Sequence, residues 1–262
     1  MMSASSLKIY GKVGDLQRSV AAMLVDVIRQ SVSDRGVCIL ALSGGETPRP
    51  IYRQLGSLPL REHIEWERVH LLFGDERMVP PDDPRSNFLM VEQELLSGIA
   101  IPLQNVHRIA GEKEPAIAAA DYANELLGLF ARGTKRIDCV LLGLGEDGHT
   151  ASLFPGSSIL RERDALVLPA FHERSETWRV TMTLPLINAA RKVVFVVAGK
   201  EKAKVMFRIS QVREPSDDLP ASLVRPTKGK LVWMIDRKAA SELSPFRNSR
   251  SGSARRINES IS

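Results

Sequence analysis

The chain has few of the features that mark secreted and membrane proteins. Only two of its 262 residues are cysteines, Cys38 and Cys139, and both lie in apolar runs. We interpret them as small core residues in a reducing compartment. No apolar run approaches the roughly 20 residues of a membrane-spanning helix, and the N-terminus lacks the charged-then-apolar pattern of a signal peptide. These shortages argue against a disulfide scaffold and a membrane protein, and they predict a cytoplasmic location.

Several catalytic signatures are also missing. The five histidines are scattered, and none lies at metal-ligand spacing from another histidine or a cysteine, so no metal site is predicted. There is no Gly-x-Ser-x-Gly elbow to support a serine nucleophile. The stretch Ser43-Gly44-Gly45 is not followed by the Gly-Lys-Ser/Thr of a Walker loop, and it lacks the third glycine of a dinucleotide fingerprint.

The composition is that of a globular protein with a modest excess of positive charge. Hydrophobic residues make up 44% and charged residues 26% of the chain, and the formal net charge is +5. Much of this excess lies near the C-terminus, at Arg247, Arg250, Arg255 and Arg256. Apolar periodicity is lost from about residue 244, so we predict one domain over residues 1–243 and a basic, disordered tail over residues 244–262. The modest basic balance of the body suits a small anionic substrate.

Short apolar runs alternate with helical stripes along the body of the chain. The runs predict buried strands at residues 37–42, 69–73, 137–142, 192–198 and 231–235, with shorter strands at 106–109, 165–169 and 178–183. Helices are predicted at residues 15–30, 88–96, 115–132, 185–190 and 201–211. The alternation predicts an α/β fold, a Rossmann-like parallel sheet flanked by helices on both faces. The glycine-bearing loops after Leu42, Phe73, Leu142 and Ala198 should then open on the same edge of the sheet.

The central motif is the loop after the strand at 137–142. The run breaks into glycines, including Gly145, and then carries Asp147 and His149 directly off the strand end. Histidine is the side chain whose ordinary pKa lies nearest neutrality, which suits it to proton transfer. An isolated histidine in a tight turn would have a structural role, but the glycines and the acidic lead-in favour a catalytic one.

Three other loops offer groups that bind anions. Ser43-Gly44-Gly45 is a candidate phosphate cradle, with Thr47 as the expected N-cap and Pro48 as the first residue of a helix; the alternative is an ordinary turn. The loop at 74–77 carries Asp75, Glu76 and Arg77, either as an anion site or as a local ion pair. Lys202 begins a helix, where it could help to bind an anion or could simply be solvated.

Taken together, these motifs identify a resemblance to the glucosamine-6-phosphate isomerase/6-phosphogluconolactonase family. The matching stretches are Ser43-Gly44-Gly45-Glu46-Thr47-Pro48, Gly74-Asp75-Glu76-Arg77-Met78-Val79-Pro80, Asp83-Pro84-Arg85-Ser86-Asn87, residues 143–156, Arg179-Val180-Thr181-Met182-Thr183, and Gly199 with Lys202-Ala203. They occur in order over about residues 36–203, and they include the candidate substrate-binding residues Asn87, Gly145 and Arg179.

The resemblance implies a specific reaction that needs no cofactor. The substrate would be 6-phosphoglucono-1,5-lactone, hydrolysed to 6-phosphogluconate in the pentose phosphate pathway. The resemblance makes His149 the general base, and makes Arg77, Lys202 and the Ser43-Gly44-Gly45 backbone the phosphate clamp. Asp147 would orient the imidazole or the water, and Arg179 would hold the oxyanion. Asp75 is a further candidate catalytic residue and, with Asp147, an alternative base.

Two alternatives remain open at this point. An aldose-ketose isomerase or deaminase of the same fold would also bind a sugar phosphate, but deaminases carry a glutamate where this chain has Phe154 and usually a tyrosine where it has Arg77. A sugar-phosphate-sensing regulator would need a DNA-binding domain, and no segment of helix-turn-helix size precedes Gly36. We therefore expect a small anionic sugar phosphate as the partner, with neither nucleic acid nor membrane, in a monomer or a dimer.

Overall fold

The structure is a computed structural model that describes residues 5–131 and 136–243. Its strands are β1 (Ser5–Tyr10), β2 (Cys38–Leu42), β3 (Val69–Phe73), β4 (Asp75–Arg77), β5 (Val106–His107), β6 (Cys139–Leu142), β7 (Val167–His172), β8 (Thr177–Met182), β9 (Lys192–Val197) and β10 (Lys230–Asp236). Its α-helices are α1 (Val13–Arg35), α2 (Arg49–Leu55), α3 (Asn87–Glu94), α4 (Pro115–Ala131), α5 (Leu184–Ala189) and α6 (Ala203–Gln211). Short 3-10 helices complete several of the connections.

A seven-stranded parallel sheet organises the fold, in the order β1-β10-β9-β6-β2-β3-β5. Every residue of β2 and β6 is buried, because these inner strands are covered on both faces of the sheet. This explains why these strands appear in the sequence as continuous apolar runs. The predicted α/β class and parallel sheet are confirmed.

The parallel sheet has one strand that the sequence did not predict. Strand β1 pairs with β10 at the edge of the sheet, where Leu7 is 36% exposed and Ile9 is half-buried. A half-covered edge strand needs no continuous apolar run, so its pattern is weak. The long helix α1 also extends beyond its predicted bounds and ends at Gly36, whose left-handed φ of 74° closes the helix.

A second, three-stranded antiparallel sheet in the order β4-β8-β7 was not predicted either. The sequence predicted a loop at residues 74–77, and that prediction is wrong because Asp75 pairs with Thr181 and Arg77 pairs with Arg179 across β4 and β8. A three-residue strand of charged residues has no apolar signature, and only its distant partner strand makes it visible.

The predicted start of α2 is also wrong by one residue. Pro48 occupies the N-cap position and Arg49 begins the helix, while Thr47 makes no capping hydrogen bond. By contrast, Ser86 caps α3, because its hydroxyl accepts a hydrogen bond from the backbone N–H of Leu89 at 3.2 Å.

The cysteines and the chain ends bear on the remaining predictions. Cys38 and Cys139 are unpaired and buried, as predicted, and burial raises the pKa of both thiols, which leaves them unreactive. No helix within residues 5–131 and 136–243 combines the length and the apolar character needed to cross a membrane. The predicted tail at 244–262 lies outside the described residues, and the one-domain assignment stays a prediction.

Candidate functional site

The strand ends at Leu42, Phe73, Leu142 and Ala198 open on one edge of the parallel sheet, as predicted, and the segments that follow them, three loops and strand β4, line a cleft of about 370 Å³. Ten of the eleven candidate site residues line it: Ser43, Gly44, Gly45, Asp75, Arg77, Asn87, Gly145, His149, Arg179 and Lys202. The eleventh, Asp147, contacts the cleft only through His149 and lines a neighbouring cavity. The parallel topology creates this convergence, because the carboxyl ends of parallel strands meet at a single edge.

His149 and Asp147 form a hydrogen-bonded dyad on the loop after β6. Nδ1 of His149 lies 2.6 Å from Oδ1 of Asp147, and the same oxygen accepts the backbone N–H of His149 at 3.0 Å. Partial burial alone would raise the pKa of Asp147, but hydrogen bonds from the His149 side chain and backbone lower it to about 2. A charged Asp147 keeps the proton on Nδ1, so Nε2 is the nitrogen that presents a lone pair to the cleft.

Gly145 gives the dyad the space it needs. A Cβ at position 145 would lie 2.1 Å from Nδ1 of His149 and 2.6 Å from Oδ1 of Asp147. The backbone N–H of Gly145 also donates to the carbonyl of His149 at 2.8 Å, which closes the loop. Any side chain here would displace the imidazole.

Strand alternation in the small sheet divides the charged residues of β4 between two faces. Asp75 and Arg77 share the cleft face, and the partner of Arg77 on β8 is Arg179, which lines the same cleft. Burial lowers the pKa of the Arg179 guanidinium, Asp75 opposes that shift, and Arg77 adds to it. Two guanidinium groups beside one carboxylate leave a local excess of positive charge, which suits an anionic ligand.

Glu76 lies on the opposite face and has a structural role. Its carboxylate accepts the backbone N–H groups of Arg77, Asn87 and Phe88, each at 2.8 Å, and the Ser86 hydroxyl at 3.1 Å. It thereby satisfies the free donors at the N-terminus of α3. The ion pair considered between Arg77 and a neighbouring acid does not form in the described part of the chain, where the Arg77 guanidinium donates to the carbonyl of Arg85.

Asp75 and Asn87 are joined at the floor of the cleft. Asn87 is 2% exposed, and its amide nitrogen donates to the carbonyl of Asp75 at 2.8 Å. Asp75 in turn accepts the hydroxyl of Ser152 at 2.7 Å. The amide oxygen of Asn87 is buried without a partner against Gly44, where a Cβ would come within 1.9 Å of it. This oxygen is an acceptor suited to a hydroxyl of a bound ligand.

The candidate phosphate cradle, Ser43-Gly44-Gly45, is held in place by hydrogen bonds to Tyr52 of α2. The Tyr52 hydroxyl donates to the Ser43 carbonyl at 2.8 Å and accepts the Ser43 N–H at 3.0 Å, which fixes the loop before α2. Lys202 lines the same cleft from the turn after Gly199, whose φ is 104°. The cradle and the lysine come from different strands and meet only through the fold. Within the described ranges, no three His, Cys, Asp or Glu side chains are grouped to hold a metal.

Comparisons with known proteins identify the family of the chain. A family model described as glucosamine-6-phosphate isomerases/6-phosphogluconolactonase matches residues 12–233. The chain belongs to this family. It is similar to a 6-phosphogluconolactonase of Nostoc sp., at 38% identity over 85% of this chain and 91% of the relative. It is also similar to one of Homo sapiens, at 39% identity over 84% and 90%.

A solved structure of the family has the same fold. The 6-phosphogluconolactonase from Trypanosoma cruzi superposes with a TM-score of 0.81 at 30% identity, over 92% of this chain and 97% of that chain. The match extends over most of the described ranges, so the fold of this chain is that of the family.

Three residues near the dyad were not predicted as site residues. Ser152 bonds to Asp75 from 77 positions away, Phe154 lies beside the His149 ring, and His172 lies beside Phe154. Ser152 and Phe154 lie in a stretch that matches the family pattern, which was the only signal for them. His172 had none, because the sequence does not reveal which face of an antiparallel sheet it occupies.

Proposed function

We propose that the chain hydrolyses 6-phosphoglucono-1,5-lactone to 6-phosphogluconate, the reaction named for its relatives. The observation that carries this proposal is the His149–Asp147 dyad, which presents a lone pair to a cleft that also holds Arg77, Arg179 and Lys202. A base and several cations in one cleft are what the hydrolysis of an anionic ester requires. The reaction needs no group beyond this chain and water.

The dyad would act on water. Nε2 of His149 takes a proton from the water as its oxygen attacks the lactone carbonyl carbon, and the charged Asp147 stabilises the imidazolium that forms. The carbonyl electrons move to oxygen, and the resulting oxyanion is held by Arg179. When the oxyanion collapses, the bond to the ring oxygen breaks, and the His149 proton passes to that oxygen.

The remaining groups would recognise the substrate. The phosphate carries up to two negative charges, and donors come from three separate segments: Arg77 on β4, Lys202 on the turn after Gly199, and the backbone N–H groups of Ser43-Gly44-Gly45. The unpartnered oxygen of Asn87 would accept a hydrogen bond from a sugar hydroxyl. Asp75 would hold Asn87 and Ser152 in place, which makes it a supporting residue rather than the base.

The isomerase and deaminase alternative lacks support at two positions. Phe154 has no group that accepts a proton, and its ring lies against His149, where deaminases have a glutamate. Arg77 stands where they usually have a tyrosine.

We also propose a cytoplasmic location. The support is that the two cysteines are unpaired and buried, as expected in a reducing compartment.

A direct assay separates these functions. The wild-type chain is given freshly made 6-phosphogluconolactone, and acid release is corrected for spontaneous hydrolysis. The same preparation is tested for ammonia release from glucosamine 6-phosphate. We expect catalysed lactone hydrolysis that is lost in His149→Ala. Ammonia release without lactone hydrolysis would overturn the proposal.

A further inference from the structure

The small antiparallel sheet extends past the cleft as the hairpin of β7 and β8. On β8, Arg179 and Thr177 lie on the same face, and the partner of Thr177 on β7 is His172. His172 therefore lies on the face of this sheet that carries Asp75, Arg77 and Arg179, although it does not line the cleft. The aromatic residues Phe171 and Trp178 lie on the other face and are exposed.

Phe154 joins this hairpin to the catalytic loop. Its ring centroid lies 5.2 Å from that of His149 and 4.5 Å from that of His172. The guanidinium carbon of Arg179 lies 5.9 Å from the same ring. Phe154 is only 7% exposed, so its orientation is set by its neighbours. One buried ring thus contacts both histidines and the proposed oxyanion donor.

The imidazole of His172 is itself held in place. Its Nδ1 hydrogen-bonds to the hydroxyl of Ser175, which lies 2.7 Å from the hydroxyl of Thr177. Burial lowers the pKa of His172, and the nearby positive charge of Arg179 lowers it further, together with His149 and Arg174, against the opposing effect of Asp147. The ring that packs on Phe154 is therefore neutral at neutral pH.

The dyad needs such a support. The hydrogen bonds between His149 and Asp147 lie within one short loop, and the His149 side chain is 31% exposed. A single hydrogen bond at Nδ1 fixes one atom of the ring but leaves its plane free to tilt. A contact beyond these hydrogen bonds is needed to aim Nε2, and Phe154, which also packs against His172 of the hairpin, is placed to provide it.

We propose that Phe154 and His172 are positioning residues: Phe154 fixes the plane of the His149 imidazole, and the His172 ring holds Phe154 in place. The inference rests on the proposed role of His149 as general base. The support is aromatic packing rather than proton transfer, so a ring without a titratable group at position 172 should keep most of it, although it loses the hydrogen bond to Ser175.

The test uses paired variants of the whole chain. Phe154→Leu and His172→Ala remove a ring, whereas Phe154→Tyr and His172→Phe keep one. Phe171→Leu is the matched control, because it removes a neighbouring ring from the opposite face of the same hairpin. Each variant is measured for kcat, KM, the dissociation constant of 6-phosphogluconate and melting temperature.

We expect a loss of kcat without a loss of binding. Phe154→Leu should lower kcat by roughly 10–100-fold, since a small misplacement of a catalytic group costs about that much. KM and product affinity should stay within about twofold, because the phosphate clamp lies on other loops. His172→Ala should lose less, each ring-keeping variant should lose less than the variant that removes the same ring, and Phe171→Leu should resemble wild type. An unchanged kcat in Phe154→Leu, or equal losses in His172→Phe and His172→Ala, would overturn the proposal.

A spectroscopic measurement separates this inference from the proposed function. With ¹⁵N-labelled histidine, the wild-type His149 ring should give the signals of a single tautomer with the proton on Nδ1. In Phe154→Leu, we expect these signals to broaden as the ring samples several tilts about its hydrogen bond to Asp147, whether or not the chain hydrolyses the lactone. Identical His149 signals in the two proteins would refute the positioning role even if the lactonase assay succeeds.

Discussion

The two sheets contribute to the cleft in different ways. The parallel sheet contributes through the loops at its strand ends, which supply backbone N–H groups, His149 and Lys202. The small antiparallel sheet contributes through side chains that project from one strand face, Asp75, Arg77 and Arg179. The proposed chemistry thus depends on a loop with local contacts, while much of the charge depends on long-range strand pairing.

This difference predicts which substitutions should affect the rate and which should affect binding or stability. The Asp147–His149 contact joins residues two apart, so small changes within the loop should disturb the reaction without unfolding the protein. The groups on β4 are fixed by a strand about a hundred residues away. The predictions below test this contrast.

The largest effect should follow removal of His149 from the loop. A general base contributes about 10²–10⁴-fold, and we expect His149→Ala and His149→Asn to lose that factor in kcat. Both variants should bind 6-phosphogluconate nearly as wild type does, because Arg77 and Lys202 are untouched. Steady-state kinetics and product titration measure the two effects. Normal kcat in either variant would assign the base role to Asp147 or Asp75.

The second-largest effect on kcat should follow the addition of a methyl group at position 145. Its Cβ would lie 2.1 Å from Nδ1 of His149, so Gly145→Ala must displace the ring. We expect kcat to fall by roughly 10²-fold, the cost of about 1 Å of misplacement. Gly128→Ala is the control, since a Cβ there meets nothing within 4 Å. Equal rates in the two variants would mean that the dyad tolerates displacement.

The phosphate clamp should affect binding rather than kcat. Each charge-assisted contact contributes about 1.5–3 kcal/mol, or roughly 10–100-fold in affinity. We therefore expect Arg77→Ala and Lys202→Ala to weaken 6-phosphogluconate binding by that factor. Lys200→Ala is the matched control, because Lys200 belongs to the same turn but does not line the cleft. Unchanged kcat/KM in both clamp variants would contradict the assignment.

The decline of kcat/KM toward acidic pH should reflect the protonation of a single group. The pKa of Asp147 is lowered to about 2, so Asp147 stays charged across the working range and cannot be the group that titrates. A histidine base loses activity when it gains a proton, so kcat/KM should fall about tenfold per pH unit on the acid side. A rate profile corrected for background hydrolysis tests this. A slope of two would show that a second group must be deprotonated.

The smallest effect on activity should follow substitution of Glu76, which lies on the face of β4 opposite the cleft. Glu76→Gln leaves donors at the start of α3 without an acceptor, which costs about 1–3 kcal/mol of stability. Burial raises the pKa of Glu76, an effect only partly offset by these hydrogen bonds. We expect a lower melting temperature, with kcat of the folded enzyme close to wild type. A selective loss of kcat would mean that Glu76 acts in the reaction.

Much of the fold could be predicted because the parallel sheet is buried on both faces. Continuous apolar runs marked its inner strands, and the glycines after them marked the loops. The predictions that failed concern half-covered or charged segments. Strand β1 is an edge strand, and β4 is a run of charged residues that becomes a strand only by pairing with β8.

The sequence alone determined the class of fold, three of the four strand-end loops that line the cleft, and the residue types in them, because these depend on local patterns of burial and turn chemistry. Only the tertiary structure decided how the acids of β4 are used. Strand alternation places the Asp75 side chain in the cleft and the Glu76 side chain at the N-terminus of α3, although the two residues are neighbours in sequence. Only the fold also brings His172 of the hairpin beside Phe154, whose ring packs on His149. The physical reason is that the sheet face on which a side chain of an antiparallel strand lies depends on the register with the partner strand. No local sequence pattern encodes that register.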